Sequence, residues 1–143
     1  MPASLQDAVT HLIGKIEADA QTISLGSTQA FMFSAPEKGV ASYPYVIIGK
    51  QAGSHTIVMC GVAFDVHYLA VKCVDYGFDG GERARKVLHR VRQVIETTTP
   101  ATLASGKLDA VIPNSSYNYD EQESGNNNFY HEVQVEKVIL SDS

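Results

Sequence analysis

The chain contains no tryptophan and only two cysteines, Cys60 and Cys73, in 143 residues. So sparse a cysteine content excludes a disulfide framework and a cysteine-rich zinc motif. Both thiols are expected to be reduced and partly buried. No stretch approaches the ~20 consecutive apolar residues of a membrane helix. The opening Met1-Pro2-Ala3-Ser4-Leu5-Gln6-Asp7 lacks the basic start and apolar block of a signal peptide. The product is therefore expected to stay in the cytoplasm where it is made. What is present, 44% hydrophobic and 19% charged residues, is the composition of a soluble globular chain. It is expected to fold as one domain over residues 1–143.

Reactive constellations are also missing. The five histidines, His11, His55, His67, His89 and His131, show no helical ligand spacing and no neighbouring cysteine. A metal site needs several converging ligands, so no bound metal and no other cofactor is expected. Nothing places either thiol at a helix start or among clustered positive charge, so a nucleophilic cysteine is not expected. Phe78-Asp79-Gly80-Gly81-Glu82 precedes a helix, but it lacks the lysine and hydroxyl of a phosphate loop and the spacing of a dinucleotide fingerprint. A turn with Asp79 as N-cap is the simpler reading.

Charge is unevenly distributed. Residues 80–97 hold five basic residues, Arg83, Arg85, Lys86, Arg90 and Arg92, against Glu82 and Glu96, a net of +3. With −5 on the whole chain, the remainder carries −8. Arg83, Lys86 and Arg90 fall on one flank of a helix, and Arg85 and Arg92 on the other. A basic helix without aromatic residues, in a chain with a pI near 5.4, argues against a direct grip on DNA. It fits complementarity between copies or partners, with Glu132 and Glu136 as candidate acidic partners.

The pattern of elements is mixed. Ser4 caps a helix expected over residues 4–20, with Leu5, Ala8, Val9, Leu12, Ile13 and Ile16 on one stripe. Ala30-Phe31-Met32-Phe33 and Tyr45-Val46-Ile47-Ile48 read as strands, and Gly53-Ser54 as a turn or loop. In the long strand-like run from Val62 to Tyr76, the large residues shift from Phe64, Val66 and Tyr68 to Leu69, Val71 and Cys73. That shift means a bulge near Leu69-Ala70 or cover on both faces, and the bulge is favoured. A second helix, residues 80–96, buries Ala84, Val87, Leu88, Val91, Val94 and Ile95. Two alternating segments, near residues 107–112 and 129–140, close the chain around a polar tip at residues 121–128. The tip is expected to be mobile in the free subunit and to order on a partner, with Asn126, Asn127 and Asn128 as contact candidates. The fold class is α+β: a mixed or antiparallel sheet, two amphipathic helices packed on it, and a closing C-terminal β-hairpin.

The order of these signals carries a resemblance. The leading helix, the Ala35-Pro36 connection, Pro44-Tyr45-Val46-Ile47 entering a strand, and Val71-Lys72-Cys73-Val74 ending a long one come first. The helix over residues 81–95, then Tyr119, Gly125 and Tyr130-His131 before an alternating strand, complete the series. Over roughly residues 5–140 the chain resembles the tail-completion, or tail-terminator, proteins that join tail to head in long-tailed bacteriophages. The resemblance implies a non-enzymatic structural protein of the virion, made in the host cytoplasm. It further implies a homo-oligomeric, hexameric ring at the head–tail joint. The implied partners are further copies, the tail tube protein and a head neck or connector protein. DNA would pass through without being specifically bound, and no membrane would be involved. An acidic lumen would keep that passage non-sticky. Two other classes stay open: a head-side neck protein (stopper or adaptor), and a small cytoplasmic enzyme built around His67, Cys73 or His131.

Overall fold

Ser4 starts the first helix by the means its side chain allows: its hydroxyl accepts the N–H of Asp7 at 3.1 Å. Helix α1 (Leu5–Ala18) buries Ala8, Val9, Leu12 and Ile16. It stops two residues short of the expected end at residue 20, because Asp19 leaves helical geometry (φ −77°, ψ 112°) and caps a second short helix, α2 (Ala20–Ser24). The Asp19 carboxylate accepts the Thr22 N–H at 2.9 Å and the Thr22 hydroxyl at 2.7 Å. The computed structural model describes residues 2–27, 29–33, 43–77, 81–122 and 128–142. The expected Asp79 cap, the Ala35-Pro36 connection and most of the polar tip lie outside these residues.

The strands are β1 (Ala30–Met32), β2 (Tyr45–Met59), β3 (Val62–Gly77), β4 (Ala101–Leu103), β5 (Gly106–Gln122) and β6 (Asn128–Ser141). They form one sheet in the order β1-β2-β3-β6-β5-β4. Among the described residues, β1 and β2 pair in parallel and every other neighbour is antiparallel. The remaining helix, α3 (Glu82–Thr97), crosses between β3 and β4 in the chain. The architecture is the expected α+β one, with a mixed sheet.

One face of the sheet is covered by α1 and α3. Val46, Ile48, Leu69, Val71, Cys73, Leu108, Val138 and Leu140 meet Val9, Leu12, Ile16, Val87, Leu88, Val91 and Ile95 in one apolar core. Leu88 is 4% exposed, so Leu88→Ala is expected to cost ~2–5 kcal/mol in denaturant unfolding. An unfolding free energy equal to that of the wild type would remove it from the core. The opposite, helix-free face carries a smaller cluster of Tyr45, Ile47 and Val74 with Phe31, Tyr43 and Phe129. Its rings pack edge to face (Phe31–Tyr45, 5.7 Å) and tilted (Tyr76–Phe129, 4.8 Å).

Two sequence expectations change. The shift of apolar residues in β3 is not a bulge. Its register with β6 runs unbroken from Phe64↔Ser141 to Gly77↔Asn128. Leu69, Val71 and Cys73 lie beneath the helices, while Val66 and Val74 are buried on the other face, so each parity contributes buried apolar residues without a slip in register. The irregularity instead falls on β2, between Gln51 and His55. Gly53-Ser54, expected as a turn or loop, is this break inside a continuous strand, with Gly53 at φ 105°. The true β2–β3 turn is at Cys60 and Gly61, both at positive φ (51° and 78°), which matches the twist of a tight hairpin.

Candidate assembly surface

The basic residues of α3 divide by the flank on which they sit, and the sheet supplies most of their partners. Arg83 makes a bidentate pair with Asp75 on β3: Nε donates to Oδ2 at 2.9 Å and Nη2 to Oδ1 at 2.6 Å. The Asp75 side chain is 3% exposed and that of Arg83 45%. Arg90 forks onto Asp19 between α1 and α2, at 3.0 and 2.8 Å. This hydrogen bonding, chiefly from Arg90 and then from Thr22, holds the Asp19 carboxyl well below the usual carboxylate range despite some burial. Lys86 meets Glu82 one turn away at 3.1 Å, with both side chains well exposed, a pair of little energetic weight. Two of the three charges on the expected positive edge are therefore fastened within the subunit. Arg83→Ala is expected to cost ~1–3 kcal/mol, because it leaves a buried carboxylate short of its donors. A wild-type melting curve for that variant would show the pair to be idle.

On the other flank, Arg85 donates to the Tyr130 hydroxyl at 3.1 Å and sits 5.8 Å from the ring centroid. Arg92 lies 3.6 Å from Glu96 and 3.9 Å from Glu136. Glu136 is 0% exposed. Its strand register with Leu69 puts it on the helix-covered face, so it is not presented to a neighbouring subunit as the sequence suggested. Among the described residues, neither of its carboxylate oxygens finds a donor. Burial, and then the adjacent Glu96 charge, pushes its pKa up to about 8. A proton held by Glu136 would give it the means to donate in turn. Glu132, on the same face and partly exposed, is raised mainly by burial. Asn126 and Asn127 lie outside the described residues. Asn128 opens β6, opposite Gly77.

The residues weighed for catalysis do not converge. In the registers His67↔Val138 and Val74↔His131, His67 falls on the helix-covered face and His131 on the other. Cys73 is buried, and burial pushes its thiol far above the usual range, the opposite of an activated nucleophile. Among the described residues, no group of three or more His, Cys, Asp or Glu side chains is placed to hold a metal ion. No helix among them is long and apolar enough to cross a membrane. A basic groove of about 370 Å³ lies between α2 and α3, lined by Gln21, Leu25, Arg85, Lys86 and His89 among others.

The surface feature missed in the sequence is apolar. At the β2–β3 hairpin tip, Val58 is 69% exposed, Met59 61% and Val62 43%. Cys60 is exposed between them. Below the tip, Ile57, Met59, Phe64, Val66 and Ile139 line a hollow of about 300 Å³ with Asp109 and Lys137. The signal was the run Thr56-Ile57-Val58-Met59 beside Gly61. It reads equally as a buried strand until the hairpin is known to project.

No protein-family model and no curated protein matches the chain. Among solved structures, the fold matches a chain in "Virion of native gene transfer agent (GTA) particle" with a TM-score of 0.66 at 19% identity. The match covers 95% of this chain and 95% of that one. At that identity the likeness establishes a shared fold over nearly the full length of both.

Proposed function

We propose that this chain is a structural subunit of a virion, and that copies of it form a ring at the top of a phage-type tail, ending tube growth and joining tail to head. The observation that carries this reading is the end-to-end fold match to a chain of a gene transfer agent virion. The tail-completion resemblance of the sequence gives it its finer form. A surface role also suits a chain whose charged and apolar features lie on edges and helix flanks. The partners are further copies, in a hexamer, together with the tail tube protein and a neck or connector protein of the head. DNA passes through without being specifically gripped. Charges on α3 set register and partner choice, and apolar contacts supply most of the affinity. With Arg83 and Arg90 committed internally, Lys86 is the residue of that edge to reverse without breaking the fold. Glu132 and the segment containing Asn126, Asn127 and Asn128 stay as partner contacts.

The test is removal of the chain from the producing genome, followed by electron microscopy of the products. Filled heads without tails and tails of irregular length are expected, with joining restored by the wild-type chain. Fully joined particles with tails of normal length would overturn the reading. Tails of normal length that fail to join would move the chain to the head side of the neck.

A further inference from the structure

Among the described residues, both outer edges of the sheet are open over most of their length. β1 covers β2 only at Val46, Ile47 and Ile48. β4 covers β5 only at Gly106, Lys107 and Leu108. Among the described residues, no strand pairs with the outer side of β2 over residues 49–59 or of β5 over residues 110–122. Side chains over residues 53–59 and 112–118 are exposed.

The alternation of the ladders identifies the outward-facing backbone groups. The N–H of Phe33 donates to the carbonyl of Ile48 at 2.8 Å, and that of Val46 to the carbonyl of Gln29 at 3.2 Å. Val46 and Ile48 thus turn outward on β2. Carried through the registers of β3 and β6, the same alternation turns Thr56 and Val58 outward on β2, and Ser116 and Asn118 outward on β5. Pro113 also falls on an outward position, where its missing N–H costs no bond to β6.

We propose that these two edges pair with each other between successive copies of the chain, β2 of one against β5 of the next, so that the sheets join head to tail. This rests on the ring reading above and names the contact that builds the ring. Strand polarity favours it. The long strands β2, β3, β6 and β5 alternate in direction, so β2 and β5 run opposite ways. Copies that share one orientation around an axis then meet as an antiparallel pair. Such a heterologous contact closes into a ring when the rotation closes.

Side chains favour it too. The registers put Ile57 and Met59 on the helix-free face of one edge, and Ile112 and Tyr117 on the same face of the other. All are exposed, at 39%, 61%, 44% and 47% respectively. Pairing the edges lays these two apolar strips along one another, which a foreign strand of unspecified sequence would not do. Pro113 and the irregularities at Gln51/His55, Leu108/Ala110 and Pro113/Ser115 restrict pairing to short stretches. They select a register and blunt indiscriminate edge-to-edge association.

Thr56→Pro and Ser116→Pro each remove one outward N–H and leave the internal ladders their donors. Purified variants are expected to keep the wild-type circular dichroism, while self-association weakens by about tenfold or more, the effect of a lost hydrogen bond at an edge. In wild-type protein, the amides of Thr56, Val58, Ser116 and Asn118 are expected to exchange slowly in rings and rapidly in monomers. This second measurement decides the matter if a proline variant fails to fold. Rings that form normally from both variants, with fast exchange at these amides, would overturn edge pairing while leaving the ring reading intact. Protection at one edge alone, and only with another virion protein bound, would assign that edge to a foreign strand and overturn the proposal. A chain that never forms rings and is absent from the head–tail joint would sink the ring reading itself, and edge pairing with it.

Discussion

Glu136→Gln is expected to stabilise the protein above neutral pH, by on the order of 3 kcal/mol at pH 8.5. Glu136 is fully buried beneath α3 beside Glu96, and its folded pKa of about 8 stands well above that of the unfolded chain. A raised carboxyl pKa means that the native state holds a proton the unfolded state releases. The corresponding stability is complete below about pH 4.5 and is lost progressively as pH rises to about 8. Glutamine keeps the neutral shape at every pH, so the variant should lose this slope. Glu132 is raised as well and acts in the same direction. His11 and His67 are lowered from 6.5, chiefly by burial. They favour the native state as pH rises through that region, and so oppose the trend below neutrality. Cys73, raised by burial from 9.0, enters only at higher pH. The clean window is therefore pH 7 to 8.5. Parallel stability–pH curves for wild type and Glu136→Gln across that window would show that Glu136 is not protonated in the fold.

Gly81→Ala is expected to destabilise the fold strongly. Gly81 precedes α3 at φ 80°, where a side chain costs ~1 kcal/mol or more. The larger effect is steric: a Cβ at Gly81 would run into the Tyr130 ring. That ring is held by Arg85 from α3, so moving it also disturbs a contact between helix and β6. Losses of ~3 kcal/mol or more are expected in denaturant unfolding. Tyr130→Ala in the same chain should recover part of the loss by clearing the space. A Gly81→Ala protein as stable as wild type would show that the helix start shifts without cost.

The sequence was informative where a period repeats over several turns or strands. The stripes of α1 and α3, with Ala84, Val87, Leu88, Val91, Val94 and Ile95 all buried, were legible because a helix must cover its apolar face. The C-terminal hairpin was legible because β6 alternates over its whole length. What was not legible depends on partners distant in sequence. Asp19 ends α1 through a carboxylate shared between Thr22 and Arg90, and Arg90 is 71 residues away. The even and odd apolar sets of β3 look like a slipped register until helices are known to cover one face and an aromatic cluster the other. Glu136 alternates like a surface residue in β6, yet Arg92 and Glu96 meet it from above. The basic residues lie along the flanks of α3, as its periodicity places them. Their internal partners, Asp75 and Asp19, could not be read, because nothing local pairs them. For the same reason, reversing Arg83, Lys86 and Arg90 together would break two internal ion pairs as well as any contact between subunits. Lys86→Glu alone is the cleaner probe of that edge.

The most direct measurement of the structural-subunit account is cryo-electron microscopy of particles purified from the native producer, with the fold fitted at the head–tail joint. The account predicts a closed ring of this chain at the top of the tail, with α1 and α3 on one side of a sheet shared between neighbours. Particles whose joint is fully explained by other proteins, with this chain absent from the purified virion, would contradict it.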